Sequence, residues 1–138
     1  MNDLLGASKT AKRSGKNEFR GVIERGTVYA FWFEGYGRAG VYIGATPREV
    51  GIRWSEHRAA IACKTGPRHH SGKVNRMVRL LGREAVLACL KFVVVVDEYE
   101  CPDCWGEERR VYLDWAKDLP TMLNGEPPNG RKPGQYGY

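Results

Sequence analysis

Five side chains in this sequence carry chemistry that a single site could use. They are the phenols of Tyr29 and Tyr42, the guanidinium of Arg53, the imidazole of His57 and the carboxylate of Glu108. Hydrolysing a phosphodiester needs an activated water, stabilisation of a phosphorane-like charge, and help for the leaving oxygen. Arg53 offers phosphate oxygens a planar fork of donors, and His57 could relay a proton or contact phosphate. Glu108 can hold one Mg²⁺, with Mn²⁺ as the alternative, because a hard ion of this kind keeps most of its waters and needs few protein ligands. Each residue also has a plainer role. A strand tyrosine packs, a helical arginine or histidine solvates or fills a surface, and a first-turn glutamate complements the helix dipole. Order and spacing must decide between these readings.

The elements that would position these groups can be read in turn. Residues 22–33 are apolar and aromatic, as strands prefer, and 41–43 form a second short apolar run. The segment 34–40 between them carries three glycines, the composition of a hairpin connection. Because strand side chains alternate, Tyr29 shares a face with Phe31 and Phe33, and Tyr42 faces opposite to Val41 and Ile43. Thr46, Pro47 and Glu49 read as the cap, first position and capping-box partner of a helix running to about Cys63. Val50, Trp54 and Ile61 lie on its apolar stripe, with Arg53 and His57 one turn apart on the adjacent edge. A basic loop at 64–71 leads to a second helix over 71–81, with Val74, Met77, Val78 and Leu81 on one face and Gly82 as its stop. The apolar run 86–96 predicts the strongest strand, at the centre of a sheet. A third helix is expected over 104–117, with Glu108, Val111, Tyr112 and Trp115 on one face. The fold class is therefore α/β, a small, largely antiparallel three-stranded sheet flanked by helices.

At 138 residues, 42% hydrophobic and 28% charged, the chain fits one globular domain able to bury a core without disulfides. That domain spans 21–124, between a flexible basic arm at 1–20 and a Pro- and Gly-rich tail at 125–138. No apolar run is long enough to span a bilayer and the start lacks a signal-peptide core, so the expected location is the cytoplasm, or the host cytosol for a phage-encoded chain. Cys63, Cys89, Cys101 and Cys104 would then be reduced. The net charge of +6 favours a polyanionic partner. Lys64, Arg68, His69, Lys73 and Arg76 cluster in mid-chain, where they could grip DNA phosphates or simply form a solvated face.

Val28–Tyr29, then Tyr42-Ile43-Gly44, then Arg53 and His57 on a helix, then Glu108 on a later helix resemble the GIY-YIG nuclease family. The resemblance spans about residues 26–124. Arg53-Trp-Ser-Glu-His57 fits the family's arginine-to-histidine spacing, and Glu108 with Leu123–Asn124 beyond it fits the glutamate region. The first motif reads Thr27-Val28-Tyr29 in place of glycine-isoleucine-tyrosine, and its link to the second is slightly longer than usual. Glu107 competes with Glu108; the latter is preferred because Val111 and Tyr112 then occupy the expected apolar positions. The resemblance implies a metal-dependent DNA endonuclease. Tyr29 would be the general base, Tyr42 would orient the water, Arg53 would stabilise charge, and Glu108 would hold the metal. Gly44 and Asn124 would join the basic residues at double-stranded DNA. A base working near pH 7 requires the phenol, with an ordinary pKa of about 10, to shift by roughly 3 units, which Arg53 and a metal could supply.

Two alternatives remain at this level. A domain of the same fold could bind DNA without cleaving it. Cys101-Pro-Asp-Cys104, at a strand-to-helix junction, could serve as a thiol–disulfide motif, a metal pair, or merely a turn and cap. No separate DNA-reading module is visible, which leaves open a dimer or a partner protein as the source of specificity.

Overall fold

The computed structural model describes residues 23–36, 40–119, 121–125 and 128. The basic arm, the hairpin tip at 37–39 and nearly all of the tail lie outside the described residues. Strands β1 (Thr27–Phe33) and β2 (Val41–Thr46) are followed by helices α1 (Val50–Ile61), α2 (Gly72–Leu81) and α3 (Arg83–Cys89). Strand β3 (Leu90–Val96), a 3-10 turn (Glu98–Glu100) and helix α4 (Cys104–Ala116) complete the order. The result is a mixed α/β fold with a three-stranded antiparallel sheet, in the order β2-β1-β3.

Period-two alternation gives the sheet two apolar faces. Tyr29, Phe31, Phe33 and Tyr42 pack with Ile61 of α1, Val74 and Val78 of α2, and Val86 of α3. On the other face Val28, Ala30, Ile43 and Ala45 meet Trp105, Val111 and Tyr112 of α4. Central strand β1 is covered on both faces, and Phe31 is wholly buried. Burying such a side chain contributes about 1.5–3 kcal/mol, so the strand that carries Tyr29 is a rigid platform. Between Val28 and Tyr29 the β1–β3 register steps by one residue, leaving Val95 unmatched. Irregularities of this kind re-aim side chains beside functional sites.

Three expectations require correction. The capping box at Thr46 does not form, because the ladder holds Thr46 opposite Thr27 and buries it. Its hydroxyl accepts instead from the Arg48 N–H, and α1 begins three residues later with Glu49 as N-cap. The run 86–96 is split: 83–89 is helical, and only Leu90–Val96 is strand. Arg83, Glu84, Ala85, Leu87 and Ala88 are good helix formers, whereas Phe92 to Val96 is the β-favouring part. Finally, β3 lies at an edge of the sheet with Val93 and Val94 exposed, and β1 takes the centre.

The outer edge of β2 is not left bare. Met122 bridges to Val41, and the Leu123 N–H donates to the Val41 carbonyl at 2.9 Å. Asn124 then clamps Ile43 from both sides, accepting from its N–H at 3.0 Å and donating to its carbonyl at 2.8 Å. Gly40, at φ +91°, permits this approach: a Cβ there would meet the Thr121 carbonyl oxygen at 2.1 Å.

Candidate active site

Tyr29 leaves the middle of the sheet toward α1, and its ring lies across Gly44 on the neighbouring strand. The two residues face each other in the ladder. A Cβ at position 44 would stand 2.5 Å from both Cζ and the hydroxyl oxygen of Tyr29. Gly44 is thus the floor beneath the phenol. Gly44→Ala should displace the buried ring and cost about 1–3 kcal/mol of stability, which a fall in Tm reads out.

His57 of α1 is buried and stands between the two phenols, its ring centroid 5.4 Å from Tyr29 and 5.3 Å from Tyr42. Its Nε2 is 2.6 Å from the Tyr29 hydroxyl, and its Nδ1 is 2.7 Å from Nε2 of His69. His69 is buried too, so it does not reach DNA as the sequence suggested. Its Nδ1 accepts from the Ser71 N–H at 3.0 Å. The next residue, His70, pairs through Nε2 with the Tyr42 hydroxyl at 2.5 Å. Two tyrosine–imidazole pairs therefore stand side by side, and the loop before α2 supplies half of them. The sequence signal was the adjacent pair His69-His70 directly before a serine cap, and reading the loop as a phosphate grip hid it.

Burial is the main reason His57 and His69 stay neutral. It lowers His57 to about 2 and His69 to about 3, with the Arg53 charge and neighbouring imidazoles adding to the effect. His70 is lowered in the same way.

Arg53 joins the two sides of the site. Its side chain is only 11% exposed, and one guanidinium nitrogen donates to Glu56 at 2.9 Å. Glu56 is held in turn by a two-pronged contact from Arg48. The Arg53 charge acts on His57 and also on Glu108, which α4 brings from the opposite face of the sheet.

Glu108 is a carboxyl group whose charged form the fold disfavours. Burial pushes it up to about 8, Arg53 pulls it back only in part, and no hydrogen bond among the described residues stabilises its charged form. Glu107, its rival, is already engaged with Arg110 at 2.6 and 2.8 Å. Among the described residues no group of three His, Cys, Asp or Glu side chains forms a metal cage. A single carboxylate of this kind could hold only a hard ion that retains most of its water shell, and it would not suit zinc.

These shifts set an acid limit on stability. In the unfolded chain each histidine binds a proton below its ordinary pKa of about 6.5, while folded His57 and His69 do not. The unfolded state then holds more protons, so stability falls as pH falls through that range. Glu108 has the opposite sign: its raised pKa makes the fold less stable as pH rises from 4.5 toward 8. On a Glu108→Gln background, where that opposing titration is gone, lowering pH from 7.5 to 5 should cost about 4 kcal/mol from the two histidines. Urea unfolding at the two pH values measures it.

The remaining expected residues lie elsewhere. Lys64, Arg68, Lys73 and Arg76 are exposed along the loop and α2. The Lys73 amine donates to the Met122 carbonyl at 3.3 Å. Asn124 is committed to the β2 edge, as described above. Cys101 and Cys104 are fully buried, and burial pushes Cys101 up to about 11 and Cys104 higher still. Thiols of this kind make poor nucleophiles, which removes the redox reading. Their segment docks β1 instead: the Cys101 carbonyl accepts from Gly26, and the Cys104 N–H donates to the Glu24 carbonyl.

Compared with protein-family models, curated proteins and solved structures, the chain finds no significant match. No helix among the described residues is long and apolar enough to cross a membrane.

Proposed function

We propose that the protein is a divalent-metal-dependent DNA endonuclease of GIY-YIG type. The observation that carries this reading is the double reach of Arg53, whose charge acts on both Glu108 and His57, while His57 is hydrogen-bonded to Tyr29. The Arg53 charge thereby links elements that cover opposite faces of the sheet.

In this reading Arg53 binds the scissile phosphate and offsets the charge that grows on it. Tyr29 first loses its own proton to solvent and then, as phenolate, takes a proton from a water that Tyr42 helps to orient. The water oxygen forms a bond to phosphorus as the bond to the leaving oxygen breaks, and that oxygen collects a proton from solvent. Glu108 would hold Mg²⁺ or Mn²⁺, which when bound supplies Lewis acidity at the phosphate and a lower pKa for nearby water. Exposed Lys64, Arg68, Lys73 and Arg76 hold the duplex, consistent with the net charge of +6. Removing one of them should weaken binding and flatten the log–log salt dependence by roughly 0.9 per lost phosphate contact, as a salt titration of affinity reads out.

Incubating supercoiled plasmid with Mg²⁺, with and without chelator, tests the proposal. Nicked or linear product only with free metal supports it. Tight binding with no product under any divalent ion would make the chain a non-cleaving DNA-binding domain.

A further inference from the structure

We propose that His69 is a positioning residue: anchored by the Ser71 N–H, it fixes His57 as an N–H donor to the Tyr29 oxygen. The backbone N–H of Ser71 fixes the direction of every bond in the chain. A backbone N–H can only donate, so Nδ1 of His69, 3.0 Å from the Ser71 nitrogen, must carry a lone pair. A neutral imidazole has one N–H, which His69 therefore carries on Nε2. That N–H points at Nδ1 of His57, 2.7 Å away, so His57 must in turn carry its proton on Nε2. The last link places this proton 2.6 Å from the Tyr29 oxygen. The polarity of the whole chain follows from a single amide.

The anchor is itself held on several sides. Asn75 accepts from the His69 N–H at 2.9 Å and donates to the His69 carbonyl at 2.7 Å. The Ser71 hydroxyl donates to the Leu123 carbonyl and accepts from the Val74 N–H. The reverse polarity would require His69 to lose both ring protons, which does not happen in the pH range of proteins. The charged groups and rings around His57 leave it neutral as well. The Arg53 charge on α1 opposes a second proton, Nδ1 of His57 is already occupied in accepting from His69, and Tyr42 on β2 adds no charge.

Two consequences follow for Tyr29. Its oxygen accepts from His57, so its own proton must point away from the imidazole. An N–H aimed at the oxygen also favours the phenolate over the phenol. His57 is thus no sink for the tyrosine proton, contrary to the relay role expected of it. It stabilises the base after that proton has left.

The link to rate rests on the nuclease reading, whereas the tautomer lock can be read without DNA. Two-bond ¹⁵N–¹H spectra of histidine-labelled protein should show His57 and His69 both neutral and protonated on Nε2 from pH 5.5 to 8. A proton on Nδ1 of His57, or titration of His57 between pH 6 and 7, would overturn the lock. His69→Gln retains an amide donor near the position of Nε2 and should hold the His57 tautomer, while His69→Phe should release it. If wild type cleaves DNA, His69→Phe should lose about tenfold in rate at pH 7, with a pH profile moved to the alkaline side and unchanged DNA affinity. The Gln variant should recover most of that loss, and it also serves if the Phe variant does not fold. Equal rates and profiles in all three proteins would sink the positioning role and leave the nuclease reading standing. A wild type that never cleaves would sink the nuclease reading, with the tautomers still deciding the lock.

Discussion

Glu108→Gln should reduce Mg²⁺-dependent cleavage by roughly a thousandfold or more, the scale of the several kcal/mol that a metal supplies. The substitution preserves shape and removes only the charge, so duplex binding should stay within a few-fold of wild type. The same variant should be more stable than wild type without divalent ion. Holding Glu108 ionised in the fold, with its pKa raised from 4.5 to about 8, opposes folding by on the order of 4 kcal/mol above that pH. Loss of activity with a gain in Tm at pH 8.5 is the pattern of a residue kept for function. If activity survives, the metal role moves to Glu107 or is absent. If Tm falls, Glu108 is a structural group.

Tyr29→Phe should lower the cleavage rate by about 10²–10⁴-fold, the range attributed to a general base. Only a hydroxyl is lost, and the ring keeps its contacts with His57 and with Phe92 at 5.7 Å. The variant does leave the His57 Nε2–H without its acceptor inside the fold, which costs about 1–3 kcal/mol. A parallel Tyr42→Phe protein is the control, because it breaks a comparable bond to His70 without removing the proposed base. Tyr29→Phe should then be much the slower of the two under single-turnover conditions. Equal rates would take the base role away from Tyr29.

How far the sequence reached depended on what kind of information each feature needs. Tyr29, Phe31 and Tyr42 could be placed on one face because a strand repeats every two residues whatever surrounds it. The third helix with Glu108, Val111 and Tyr112 was legible from its own periodicity, and α4 starts where expected. The split of the 86–96 run was not legible, since a continuous apolar stretch fits a buried strand or a short helix equally well. Strand order also escaped, because it depends on which neighbours β1 accepts and not on how apolar β3 is. At the site, the packing partners of Gly44 and His69 were not legible. The need for glycine at 44 comes from a phenol across the ladder, and the burial of His69 comes from a loop folding inward beneath the sheet's aromatic face. Both are contacts between distant segments, and neither leaves a local mark. Asn124 is the same case, a side chain satisfied by a strand 81 positions away.

If Tyr29, Arg53, His57 and Glu108 form one metal-dependent phosphodiesterase site, cleavage must depend on both the metal and the Glu108 charge. The most direct measurement follows one end-labelled duplex with wild type and Glu108→Gln side by side, reading binding and cleavage from the same samples with Mg²⁺ and with chelator. Both proteins should bind, and only wild type with Mg²⁺ should produce cut strands. Cleavage by the glutamine variant, or by wild type in chelator, would contradict such a site.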